Sequence, residues 1–190
     1  MTRPLYRRDL TIQGRVAIAA LAALTLPAGA ALAQRPVLTE PQIKASYIYN
    51  FVQFVGWPAQ AVPGNTITVG VLGGSPVGAA LDTINGKPVG QRTFMVRHLG
   101  SPREAGGVQI LFLSEAERGR LPQVLQAVGN AGVLTVGETP GFAEAGCAID
   151  FVRQGTKVRF QINQEAAARQ RLTLSSQLLR LALIVRGAGR

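Results

Sequence analysis

The 190-residue chain carries 20 Lys and Arg against 10 Asp and Glu, a formal net charge of +10 at pH 7. A positive surface attracts nucleic acid, anionic lipid or an acidic partner, but the arginines are scattered instead of clustered with aromatics, which argues against a nucleic-acid footprint. Cys147 is the single cysteine, which excludes an intramolecular disulfide and leaves packing to hold the fold.

Residues 1–33 read as an address. Arg3, Arg7, Arg8 and Arg15 form a positive leader, Val16 to Leu26 is an apolar run, and Ala31-Leu32-Ala33 offers a signal-peptidase cut before Gln34. The run is too short to span a bilayer, which takes about 20 residues. Export by the Sec route is favoured over the twin-arginine route that "YRRDLTI" suggests. The expected mature chain, residues 34–190, is the size of one domain, and losing the leader lowers its net charge to +7.

Pro41 and Glu40 open a helix that Gly56 and Pro58 close. At 100° steps, Ile43, Tyr47, Ile48, Phe51, Val52, Phe54 and Val55 share one half of the wheel. The aromatic-rich stretch "SYIYNFVQFVGWP" is therefore core on this reading, with Lys44 out of place and only Tyr49 and Trp57 left free. Short apolar segments then alternate with helical ones. "TITVGVLG" (66–73), "RTFMVRHL" (92–99), "VQILFLS" (108–114) and "GVLTVGE" (132–138) read as strands. Ser75 caps a helix with Pro76 in its first turn, and Pro122 breaks or delays the helix after Glu115. The pattern predicts an α/β fold, a small single domain with a mostly parallel central sheet flanked by helices.

The C-terminal part differs. "CAIDFVRQGTKVRFQIN" reads as an antiparallel β-hairpin turning at Gln154-Gly155, which pairs Phe151 with Val158, Ile149 with Phe160 and Asp150 with Arg159. Beyond it, "EAAARQR" is expected to be helical. Ser175 or Ser176 then caps a helix over "QLLRLALIV" that is buried on most sides.

Little here points to catalysis. His98 has no Cys, Asp or Glu at metal-ligand spacing, and "GVLGGSPVG" matches neither the dinucleotide fingerprint nor the Walker loop. Gly73, Gly74, Ser75 and Gly78 could still present backbone amides to a ligand at the carboxyl end of a parallel strand. No cofactor or metal is expected. Cys147, between Gly146 and Ala148, reads as a small buried hydrophobe. The exposed hairpin face, Asp150, Val152, Lys157, Arg159 and Gln161, with Asn163 and Glu165 following, is the expected partner-binding surface.

Several stretches in order carry a resemblance: Tyr47-x-x-x-Phe51-x-x-Phe54-x-x-Trp57-Pro58 after Lys44, "VGVLGGSPVG", "PGFAEAGCAIDFVRQGTKVRFQIN" and "LTLSSQLLRLALIV". Together they resemble the YfiR family of exported bacterial proteins over essentially the whole mature chain. The resemblance implies a periplasmic repressor that is not an enzyme. It would bind the periplasmic sensor domain of an inner-membrane diguanylate cyclase as a homodimer, lowering cyclic di-GMP and biofilm formation. Redox control through disulfides, also linked to the family, has no internal partner thiol here. The alternative is a periplasmic small-ligand-binding protein without a cyclase partner.

Overall fold

The computed structural model describes residues 38–187; the signal peptide expected over residues 1–33 lies outside them. Helix α1 spans Glu40–Phe54 with Pro41 in its first turn. The Thr39 backbone N–H donates to Gln42 Oε1 at 2.9 Å, which satisfies one of the free amides at the helix start. Lys44, out of place on the wheel, reaches back one turn to Glu40 at 3.0 Å. Glu40 also meets Arg153 at 3.5 Å.

Eight strands form the main sheet: β2 (Thr66–Leu72), β3 (Pro88–Val89), β4 (Arg92–Leu99), β5 (Ile110–Leu113), β6 (Leu134–Gly137), β7 (Ile149–Gln154), β8 (Lys157–Asn163) and β10 (Leu183–Val185). Their order is β10-β8-β7-β6-β5-β2-β4-β3. Only the β7–β8 hairpin and the short β3–β4 pair are antiparallel; the rest is parallel, as expected. A separate two-stranded ribbon joins β1 (Val55–Gly56) to β9 (Thr173–Leu174) and ties the end of α1 to the C-terminal part of the chain.

Strand alternation sends side chains to two cores. Val69, Val71, Ile110, Phe112, Leu134 and Val136 face α1 and α2 (Pro76–Asp82). Leu111, Leu113 and Val133 face α3 (Leu121–Val128), which carries Pro122 in its first turn after a 3₁₀ turn over Glu115–Arg120. Both predicted helix starts hold, because Ser75 Oγ accepts from the Val77 amide at 3.0 Å and proline fills an amide-free position.

The aromatic cluster of α1 packs as the wheel requires: Phe51 lies 6.2 Å from Phe151 and 5.2 Å from Phe160, and Tyr47 lies 5.4 Å from Phe160. The two residues expected to be free are not. The Tyr49 ring lies 5.2 Å from Phe94 and its hydroxyl donates to the Pro88 carbonyl. Trp57 Nε1–H donates to the Gln109 carbonyl at 3.0 Å.

Two expectations are corrected. The hairpin exists, but Phe151 pairs with Phe160, Ile149 with Ile162, Asp150 with Gln161 and Gln154 with Lys157. Its two-residue loop is Gly155-Thr156, with Gly155 at φ +62° in the first central position, a left-handed conformation that favours glycine. Each residue's partner shifts by two, so the faces stay matched while like aromatics meet above Phe51, and no Asp150–Arg159 ion pair forms.

The C-terminal helix is also shorter than expected. Helix α5 covers only Ser176–Leu181, capped by Ser175 Oγ accepting from the Leu178 amide at 3.2 Å. Ala182 is extended, and β10 then adds in parallel to β8, pairing Leu183 with Gln161 and Val185 with Asn163. The open edge of β8 offers backbone partners that a further helical turn lacks, and Ile184-Val185 favours the extended chain. Instead of being buried on most sides, Leu181, Leu183 and Ile184 are 58%, 37% and 50% exposed.

Candidate functional site

The hairpin residues singled out by alternation do share one face, but that face has two ends with different fates. At the open end Lys157 is exposed, while Val152 and Arg159 are half-buried. Arg159 Nη2 donates to the Leu181 carbonyl at 3.4 Å, and Gln161 sits beside Leu183 of β10. At the other end Asp150 and Asn163 are both fully buried, which corrects the expectation of one continuous exposed surface.

What buries them is the loop between β6 and β7. Asp150 Oδ2 accepts the Phe142 amide at 3.1 Å, and Asn163 Nδ2 donates to the Ala143 carbonyl at 2.7 Å. Asn163 Oδ1 also accepts the Ala166 amide at 2.9 Å, so it caps α4 (Gln164–Arg169) while holding the loop. Burial pushes the Asp150 carboxyl up to about 7; amides of Ala143, Phe142 and Gly141 oppose this and the nearby Glu144 charge adds to it. Its Oδ1 has no hydrogen-bond partner. Cys147, in the same loop, is free and fully buried, and burial followed by the Asp150 charge raises its thiol far above the ordinary range. A thiol so protonated is a poor nucleophile.

Glu165, the last of the expected partner residues, is exposed on α4. It lines a cleft of about 810 Å³ between α3, α4 and the loop, together with Gln123, Gln126, Glu144 and Arg169. Sequence reasoning missed this cleft because its walls come from three distant segments.

The glycine-rich loop lies apart from it, at the carboxyl ends of β2 and β5, where the strand order reverses direction as α/β ligand sites require. There the backbone is tightly packed. Gly73 has φ +83°, and a Cβ there would fall 2.1 Å from Ser114 Oγ. A Cβ on Gly78 would lie 3.1 Å from Val71, so this glycine lets α2 approach the sheet. Gly74 is open, while Ser75 Oγ also donates to Glu138 Oε2 at 3.0 Å. Glu138 Oε1 accepts the Glu115 amide at 3.2 Å, which links the loops after β2, β5 and β6.

Among the described residues no group of three His, Cys, Asp or Glu could hold a metal ion, and no helix is long and apolar enough to cross a membrane. His98 Nε2 meets Asp82 Oδ1 at 2.9 Å with both side chains about half exposed, a hydrogen bond at the surface.

Among solved structures, a conserved domain protein from Vibrio cholerae O1 biovar El Tor is similar at TM-score 0.54 and 10% identity, covering 77% of this chain and 60% of that one. An ABC domain in complex with L-Trp from Streptococcus pneumonia reaches TM-score 0.47 at 13% identity, covering 67% of this chain and 58% of that one. The chain thus spans under two thirds of the length of either. The Vibrio likeness concerns the fold alone, and the second carries no argument. No curated protein matches. The YfiR/HmsC-like family model (DUF4154) matches residues 41–183, from the first turn of α1 to the first residue of β10. Membership in that family suggests a periplasmic regulator of diguanylate cyclase signalling. The match takes in the helix, the hairpin and the buried loop anchors described above, and the chain belongs to the YfiR/HmsC-like family.

Proposed function

We propose that this protein is an exported repressor: residues 1–33 are removed as a signal peptide, and residues 34–190 form one domain that acts in the periplasm as a homodimer. It binds the periplasmic sensor domain of an inner-membrane diguanylate cyclase and holds that enzyme inactive, so that cyclic di-GMP and biofilm formation fall. The observation that carries this reading is the family match over residues 41–183.

The surface that fits such a partner is the open end of the hairpin with the adjoining edge strand. Leu181, Leu183 and Ile184 stand exposed there, and among the described residues β10 is the terminal strand of the sheet, paired on one edge alone. Arg180 and Arg186 flank this strip in sequence, and Arg159 of β8 reaches the Leu181 carbonyl beside it. An apolar edge bordered by cations favours an extended, acidic segment of the cyclase domain that adds as a further strand. Like charges disfavour a second copy of this chain at the same edge.

Repression then follows from linkage. A binder that prefers the inactive cyclase stabilises it by its differential affinity, and moving the balance from 1:99 to 99:1 takes a preference of about 10⁴-fold, about 5.5 kcal/mol. Co-purification of this protein with the cyclase's periplasmic domain tests the pairing, and failure of capture sinks it. Arg159→Glu and Ile184→Asp should each leave the fold intact by circular dichroism while relieving repression. Unchanged repression in both removes this face from the interface.

A further inference from the structure

We propose that residues 182–186 form a two-state strap: strand β10 leaves β8 and the same residues continue helix α5, so the apolar edge assigned to the partner belongs to one of the two states. The observation that carries this is where α5 stops. Helices commonly end on a glycine just past the last turn, and Ala and Leu are among the best helix formers. Here α5 ends at Leu181, and Ala182 is already extended at φ −91° and ψ 156°, with Leu183 next. The first glycine after the Ser175 cap is Gly187, and Arg186 precedes it, a basic last turn followed by glycine. The local signals thus describe a helix from the Ser175 cap to Gly187, near the mean length of about 11–12 residues. Its stripe of Leu178, Ala182 and Val185 would extend one already seated, since Leu178 is buried and Ala182 packs on the core.

The strand form is lightly held. β10 pairs with β8 at three positions alone, Gln161, Ile162 and Asn163, and Leu183 and Ile184 stay exposed. Among the described residues no ion pair fastens the segment. What favours the strand is backbone pairing and the β preference of Ile184 and Val185. The opposite margin of the sheet is better closed: on β4 the Phe94 amide donates to the Lys87 carbonyl at 2.9 Å and the Val96 amide to Asn85 Oδ1 at 2.9 Å. A segment whose local preference opposes its place in the fold is what a bistable element requires. At the end of the strap, a Cβ on Gly187 would lie 3.1 Å from Asn163 Nδ2, so release also uncovers the anchor of the β6–β7 loop. A partner strand that adds to β10 stabilises the strand state by its differential affinity. That consequence rests on the partner-edge reading above; the two states themselves do not.

NMR of the free protein, with relaxation dispersion to detect exchange on the μs–ms scale, tests it. A minor state is expected at residues 182–186 with Cα shifts in the helical range, while Phe151 and Phe160 at the centre of the hairpin show none. Leu183→Ala with Ile184→Ala favours helix over strand and should raise the minor population at least about tenfold. Leu183→Val favours the strand and should lower it, which decides the matter if the double variant fails to fold. Strand or random-coil shifts at these residues in a folded double variant overturn the proposal, as does a minor population that Leu183→Val raises. Capture of the cyclase's periplasmic domain is scored separately. The double variant should capture less of it than the native protein does, and equal capture by both detaches the strap from the partner surface. No capture by the native protein refutes the cyclase pairing while helical shifts still establish the strap.

Discussion

Replacing Asp150 with asparagine should alter how stability depends on pH. The carboxyl lies under the β6–β7 loop with no exposure, and burial raises it from its ordinary 3.8 to about 7. Because the folded state holds this proton more tightly than the unfolded chain does, the contribution of Asp150 is fully present below about pH 3.8 and is lost as pH rises through about 7. At about 1.36 kcal/mol per pH unit the full span is about 4 kcal/mol, an upper value because loop relaxation and water entry soften burial. An asparagine at this position keeps an oxygen that can accept the Phe142 amide and carries no charge to desolvate. Urea unfolding of both proteins, from about pH 4 to about pH 8.5, isolates the effect as the difference between the two curves. The variant should lose less stability with rising pH and overtake the native protein above about pH 7. Parallel curves, or a native protein that gains on the variant as pH rises, would refute the assignment of that carboxyl as a buried, proton-binding group.

The remaining expectations concern packing and reactivity. Phe51→Ala removes the ring that meets Phe151 and Phe160 and should cost about 3–5 kcal/mol by urea titration; a loss under about 1 kcal/mol would mean that α1 is not anchored there. Gly73→Ala forces a positive φ on a residue with a Cβ and sets that atom against Ser114 Oγ, so a loss of about 1–3 kcal/mol is expected. Cys147 should resist an aromatic disulfide reagent in the folded protein and react at once in denaturant, because a fully buried and protonated thiol presents no thiolate. Prompt reaction under native conditions would place it in a mobile, solvated loop.

Much of the fold was legible because the signals are local. Ser75 followed by Pro76 marks a helix start by capping chemistry alone, and the apolar runs at 66–72 and 110–113 are strands at any depth of burial. The C-terminal helix was misjudged for the opposite reason. The run "LALIV" suits a buried helix or a strand equally, and the vacant edge of β8, set by residues some twenty positions earlier, decided it. The hairpin register shows the same limit. Matching faces left two registers open, and Gly155 in the turn selected the one that pairs phenylalanine with phenylalanine.

The site was half legible, and the division falls within a single strand pair. Alternation places Asp150, Val152, Arg159, Gln161 and Asn163 on one side of the sheet, and that much is correct. It is silent on what covers that side. The loop "ETPGFAEAGCA" folds over the end where β7 begins and β8 ends, and it turns two polar residues inward as anchors: Asp150 for the Phe142 amide and Asn163 for the Ala143 carbonyl and the start of α4. An exposed carboxylate and a buried one read identically in the sequence. Their consequences differ, since the buried pair fixes the loop whose Glu144 walls the cleft, while the residues beyond them stay part-exposed beside the apolar edge of β10. One hairpin thus carries a covered end under the β6–β7 loop and an uncovered end beside the apolar edge of β10, so loop and edge rest on the same two strands.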